Sequence, residues 1–163
     1  MNRLLYAAPA LACASLLAFG YYLQYFDSQD PCPLCLVQRG FYYGILAVFA
    51  VAALHSPGRT GKFVYCAAAT LLALGGFGVA ARQVWLQHLP ADQVPACGPD
   101  LFFMIENFPL SRTLQKLFMG SGQCAEVHWT FLGLSIAEWS LAWFAALALY
   151  ALWLGLRRET GVR

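Results

Sequence analysis

Charge is scarce in this sequence: of 163 residues, only 11% are Asp, Glu, Lys or Arg, against about a quarter in an ordinary soluble domain. Hydrophobic residues make up 60%. So few charges cannot cover a water-exposed surface, so the solvent for most of the chain must be lipid. The formal net charge is +2 and no run of five or more like charges occurs, so the electrostatic footprint of a nucleic-acid binder is missing. Internal repeats and low-complexity tracts are also absent, which sets aside solenoids and flexible linkers.

What is present is a set of four long apolar runs, at about residues 4–26, 36–54, 63–86 and 139–156. A helix rises 1.5 Å per residue and a hydrocarbon core is about 30 Å thick, so each run has the length of a transmembrane helix. The second is the shortest, from Gly40 to Leu54, and needs the preceding turn from Leu36 to reach the interface. Arg82, near the end of the third, can extend its side chain to the headgroups. The first run also bears a faint likeness to a cleaved leader, through Asn2, Arg3 and the small residues before Cys13. Its apolar character continues well past Cys13, which favours a retained span. The expectation is an all-α integral membrane four-helix bundle, a single membrane domain over residues 1–163, with outer loops at about 27–35 and 87–138.

Orientation follows from Lys and Arg in the short loops and flanks. Arg3, Arg59, Lys62, Arg157, Arg158 and Arg163 all fall on one face, which should be the cytoplasm. Asp27, Asp30, Asp92, Asp100, Glu106, Glu126 and Glu138 lie in the two opposite loops, so both termini are expected inside. In the longer outer loop Leu110, Leu114, Leu117 and Phe118 follow Pro109 at helical spacing. They predict a short amphipathic helix, lying flat on the bilayer or packed on the other loop.

This topology sorts the six cysteines. Cys13 and Cys66 fall inside spans, where the simplest role is that of small residues at helix contacts. Cys32, Cys35, Cys97 and Cys124 all face the compartment that permits disulfides. Pro33 suits the first position of a helix, which makes Cys32 its cap and sets both sulfurs of Cys32-Pro33-Leu34-Cys35 in the positive field of a helix N-terminus. That field favours thiolate over thiol. Arg39 is one turn beyond Cys35 on the same face, where it can stabilise a Cys35 thiolate and donate to a carbonyl oxygen of a bound acceptor. An interfacial anchor for the helix end is the plainer alternative for Arg39. Zinc would need a second pair at ligand spacing, and Cys97, Cys124, His88 and His128 do not supply one.

Cys97 and Cys124 enclose a segment of about 27 residues, so a bridge between them would remove roughly 3 to 4 kcal/mol of denatured-chain entropy. A purely structural disulfide is therefore a real alternative to a redox role. The neighbouring pair argues for exchange, because two dithiols on one side of a membrane can pass electrons through thiolate attack. Cys97 sits in Pro95-Ala96-Cys97-Gly98-Pro99, a stretch suited to an exposed turn that a partner protein can reach.

Taken together, these residues resemble the DsbB family of bacterial inner-membrane disulfide oxidases. The likeness covers nearly the whole chain: four spans, Cys32 and Cys35 followed by Arg39, and a separated pair in the second outer loop. The stretch Ser121-Gly122-Gln123-Cys124-Ala125-Glu126, with Trp129, Phe131-Leu132-Gly133-Leu134 and Trp139, is especially similar. The resemblance implies a membrane thiol:quinone oxidoreductase with periplasmic redox loops. It implies that Cys97, bonded to Cys124, is attacked by a reduced DsbA-type thiol oxidase, that Cys124 then exchanges with Cys32, and that Cys35 passes electrons to ubiquinone or menaquinone held near Arg39. A dithiol oxidant near about −120 mV cannot be regenerated by glutathione, so the membrane quinone pool is a suitable sink. The residues themselves, through ligand spacing and dispersed charge, predict no metal and no nucleic acid. In this sequence Pro33 and Leu34 fill the spacer, a position that tunes redox poise.

Two other readings compete. A vitamin K epoxide reductase type protein is also a helical bundle with loop cysteines, but its loop pair precedes its C-x-x-C, the reverse of the order here. A membrane scaffold stapled by disulfides predicts no quinone, no exchange and indifference to Arg39→Ala.

Overall fold

The computed structural model describes residues 3–26, 31–90, 92–94, 106–109, 111, 122–127 and 129–157. Four long helices dominate it: α1 (Arg3–Phe26), α2 (Pro33–His55), α3 (Arg59–Gln87) and α5 (Ile136–Leu156), with a four-residue helix α4 (Gly122–Ala125) before the last. All four long helices are long and apolar enough to cross a membrane. They form the expected four-helix membrane bundle, with ends that differ from the sequence-based spans by a few residues. α3 begins before Phe63 at Arg59, α5 begins before Trp139 at Ile136, and α2 starts at Pro33. Leu110, Leu114, Leu117 and Phe118, which carry the expected amphipathic helix, lie outside the described residues.

The outer faces explain why so apolar a chain is stable in lipid. Leu4, Leu11, Phe63, Leu71, Leu149 and Leu156 are exposed on the bundle exterior, while each helix closes its backbone hydrogen bonds internally. The core is correspondingly thin and relies on close approach. α3 packs on α5, and α2 packs on both α1 and α3. A Cβ on Gly76 would collide with the Phe144 ring, so only glycine lets α5 approach α3 there. Farther along the same seam, a Cβ on Gly155 would lie 3.2 Å from Cys66 Cβ. Cys13 and Cys66 are both buried in this core with Ala10, Leu17, Ala69 and Phe49, the small-residue role expected of them.

Cross-links close one end of the bundle. Arg3 Nε donates to Ser56 Oγ at 3.0 Å, and Lys62 Nζ donates to the Arg157 carbonyl at 2.7 Å, satisfying an orphan acceptor at the end of α5. Three of the basic residues counted in the sequence thus sit at one end. α1 and α5 approach each other less closely than the neighbouring helix pairs and are tied by Tyr150 Oη donating to Leu5 O at 2.8 Å.

At the opposite end, Thr130–Phe131 (β1) and Leu134–Ser135 (β2) pair antiparallel across a two-residue turn. Leu132 (φ 54°) and Gly133 (φ 80°) both take positive φ, as such a turn requires. Ser135 then caps α5: its Oγ accepts from Glu138 N, and Glu138 Oε2 accepts from Ser135 N at 2.7 Å, a reciprocal capping box. Trp139 Nε1 donates to Phe131 O at 3.0 Å and binds the hairpin to the helix.

Candidate functional site

Cys32 occupies the N-cap of α2 in extended conformation (φ −64°, ψ 161°), with Pro33 opening the helix. The first helical bond runs from Leu36 N to Cys32 O at 3.1 Å, so the amides ahead of Leu36 have no carbonyl partner within the helix. Cys35 lies in that first turn, and its Sγ is 3.1 Å from Cys32 Sγ. The spacing of the motif therefore produces the intended contact, at a helix N-terminus where negative charge is favoured.

The third sulfur comes from far along the chain. α4 packs on α3 and α2, and it carries Cys124 into a small apolar cluster with Cys32, Leu34, Val79 and Leu86. Cys124 is completely buried, at 0% exposure. A hydrogen bond to Cys124, a second to Cys35, and burial together push the Cys32 thiol well above its ordinary range, so its proton is held at neutral pH. Among the described residues, Cys13, Cys32, Cys35 and Cys66 are free thiols in this structure. Cys97 lies outside the described residues. Among those residues, no group of three or more His, Cys, Asp and Glu side chains is disposed to hold a metal ion.

Polar side chains that the sequence reading did not single out surround this cluster. Gln83 of α3 is 4% exposed and Gln38 of α2 is 5% exposed. Gln38 Nε2 donates to Gln83 Oε1 at 2.6 Å, and Gln83 Nε2 lies 3.2 Å from Cys35 Sγ and 3.5 Å from Cys32 Sγ. A glutamine within an apolar span is costly unless partnered, and that was the available signal. Which amide meets which sulfur depends on the packing of α2 against α3, which spacing along one chain does not reveal.

Arg39 lies one turn past Cys35, and both residues line a cavity of about 150 Å³ together with Gln38, Gln83, Tyr42 and Glu126. The guanidinium is also tied to α1: Nη1 donates to Gln24 Oε1 at 2.6 Å, Nη2 donates to Gly20 O at 3.0 Å, and Cζ sits 4.8 Å from the centre of the Tyr21 ring. Arg39 thus both anchors α2 to α1, the plainer alternative in the sequence, and lines the cavity beside Cys35. The cavity adjoins a larger one of about 470 Å³ between α1 and α5, lined by Phe19, Leu23, Trp129, Phe131, Trp139 and Trp143. Leu23, Tyr42, Trp129 and Ser140 border both. A chamber beside the sulfurs, bordered by Arg39, Gln38 and Gln83, therefore adjoins an apolar groove at the looser helix seam.

Comparison with known proteins gives this geometry a family. A family model described as "Disulfide bond formation protein DsbB" matches residues 2–154. The chain belongs to the DsbB family. It is 52% identical over 143 residues to "Disulfide bond formation protein B" of Hahella chejuensis, covering 88% of this chain and 87% of that one. It is 46% identical over 160 residues to the protein of the same name from Chromobacterium violaceum, covering 98% and 96%. A third relative of that name, from Nitrosococcus oceani, is 51% identical over 141 residues and covers 86% and 83%. Membership in DsbB carries a disulfide-forming, oxidoreductase role in a multi-pass membrane protein.

Proposed function

We propose that this chain is a membrane thiol:quinone oxidoreductase that reoxidises a DsbA-type periplasmic dithiol oxidase and passes the electrons to ubiquinone or menaquinone. The observation that carries the reading is the convergence of Cys35, Arg39 and a buried amide pair on one chamber that continues as an apolar groove between α1 and α5. Those residues fit a quinone. Arg39 offers fixed N–H donors for a ring carbonyl, and Phe19, Trp139 and Trp143 offer an apolar path for a prenyl tail. When bound, the quinone supplies the acceptor for two electrons and two protons.

The chain's own residues supply the relay. Cys97, in the outer loop, meets the reduced partner, and Cys124 is the sulfur that α4 delivers to Cys32. Attack of a Cys124 thiolate on the Cys32–Cys35 disulfide forms the Cys124–Cys32 bond and releases the electron pair on Cys35, beside the chamber. The helix N-terminus favours that charge, and Arg39 lines the same space. The Lys and Arg distribution supports an inner-membrane orientation with both termini cytoplasmic and the cysteine end in the periplasm, where disulfides persist. The same reading takes residues 1–163 as one membrane domain.

The test is to add ubiquinone and a reduced periplasmic dithiol protein to the purified chain and follow quinone absorbance. Catalytic loss of the quinone signal that requires Cys35 supports the oxidase. A quinone that stays oxidised while both cysteine pairs are intact would return the scaffold reading.

A further inference from the structure

We propose that Gln83, oriented by Gln38, is a further functional residue of this site: its amide N–H holds the negative charge on the Cys35 sulfur when the Cys32–Cys35 disulfide opens. The inference rests on the reading of Cys35 as the sulfur from which electrons leave.

Gln83 stands on α3, opposite the first turn of α2, and is almost wholly buried. Its carbonyl oxygen already accepts from Gln38 Nε2 at 2.6 Å. That bond fixes the amide so that Nε2 is the end nearer Cys35, at 3.2 Å against 3.6 Å for Oε1. A buried N–H needs an acceptor, and a thiol or disulfide sulfur is a weak one. A thiolate is a strong one. The bond therefore strengthens only when Cys35 becomes charged, which is what separates a functional contact from core filling. In the exchange, the Cys124 thiolate forms a bond to Cys32 Sγ, the Cys32–Cys35 bond breaks, and its electron pair departs on Cys35. Charge moves from one sulfur to another, no proton is consumed, and the amide keeps its own bonds.

Other groups share that field. Cys32 and Cys124 face the Cys35 sulfur, and Arg39 of α2 and Glu126, just after α4, line the chamber. α3 contributes the neutral Gln83 and Gln87, α5 contributes Ser140 with Ser135 at its cap, and the α1 lining carries no charge. Gln83 is thus the polar group that α3 sets against Cys35, and Gln38 is a positioning residue that acts through it.

The experiment uses the full chain in nanodiscs with Cys13→Ala and Cys66→Ala, fully reduced, and records the pH profile of Cys35 alkylation by iodoacetamide, resolved by peptide mass. Gln83→Met keeps the side-chain length and removes the donor. It is expected to move the midpoint upward by about one unit, slowing alkylation at neutral pH about tenfold. Gln83→Glu, which sets a carboxylate against the sulfur, should move it further, and Gln38→Met should move it less in the same direction. Should Gln83→Met fail to fold, the other two variants carry the test. Folded variants whose profiles coincide with the parent overturn the proposal. Alkylation needs no quinone, so a parent protein that never reduces quinone overturns the oxidase reading, whereas unchanged profiles in an active oxidase overturn only the role of Gln83.

Discussion

Two groups of cysteines sit at different depths of the same bundle. Cys13 and Cys66 are enclosed by Ala, Leu and Phe side chains in the main core. Cys32 and Cys124 are buried as well, with Cys35 half-buried beside them, but these three stand at a helix N-terminus, against a glutamine amide and beside a chamber lined by Arg39. Burial is common to both groups, so burial alone decides nothing about reactivity. What differs is the set of dipoles and donors within reach of the sulfur, and whether a second sulfur stands near enough to exchange with it.

The largest expected effect breaks the comparison at Cys35. Cys35→Ala should abolish quinone reduction driven by a reduced periplasmic dithiol protein, while the double variant Cys13→Ala, Cys66→Ala should keep most of it. Loss of activity in the double variant, with folding intact, would mean that the core cysteines take part. Next comes Arg39→Ala, expected to raise the KM for ubiquinone about tenfold or more, with a smaller change in kcat, because a fixed donor to the acceptor is removed. If its ties to Gln24 and Gly20 are all that matters, thermal stability falls and KM does not move.

Within the outer cluster the two motif cysteines should also differ. The Cys32 proton is held by Cys124, by Cys35 and by burial, so in the reduced protein at neutral pH Cys35 is expected to be alkylated before Cys32, as peptide mapping would reveal. The smallest effect concerns packing away from the sulfurs. Gly76→Ala forces the Phe144 ring to move and should cost about 1–3 kcal/mol in thermal or denaturant unfolding. Gly78→Ala, whose new methyl meets nothing within 4 Å, should cost nothing and serves as the control.

The spans and the motif were legible because their signals are local. A hydrophobic run of membrane length needs no partner to be recognised, and Pro33 after Cys32 announces its own helix start. The capping box of Ser135 and Glu138 was written in the spacing as well, though the sequence reading passed over it. Gln38 and Gln83 were not legible as a pair, because 45 residues separate them and only the packing of α2 on α3 brings them together. Cys124 was matched to Cys32 only through the family resemblance, because its place there depends on a four-residue helix docking on α3 and α2. The apolar groove between α1 and α5 follows from a loose seam, and looseness has no sequence signature.

The most direct test of the account is to trap the exchange that this docking makes possible. With Cys35→Ser in place, the purified protein would be oxidised in the membrane, digested without reduction and mapped for disulfides by mass. A Cys32–Cys124 linkage accumulating as a major species is the predicted result, since the sulfur that normally resolves it is gone. Cys32 remaining a free thiol while Cys124 is found only with Cys97 would contradict the relay from α4 to α2.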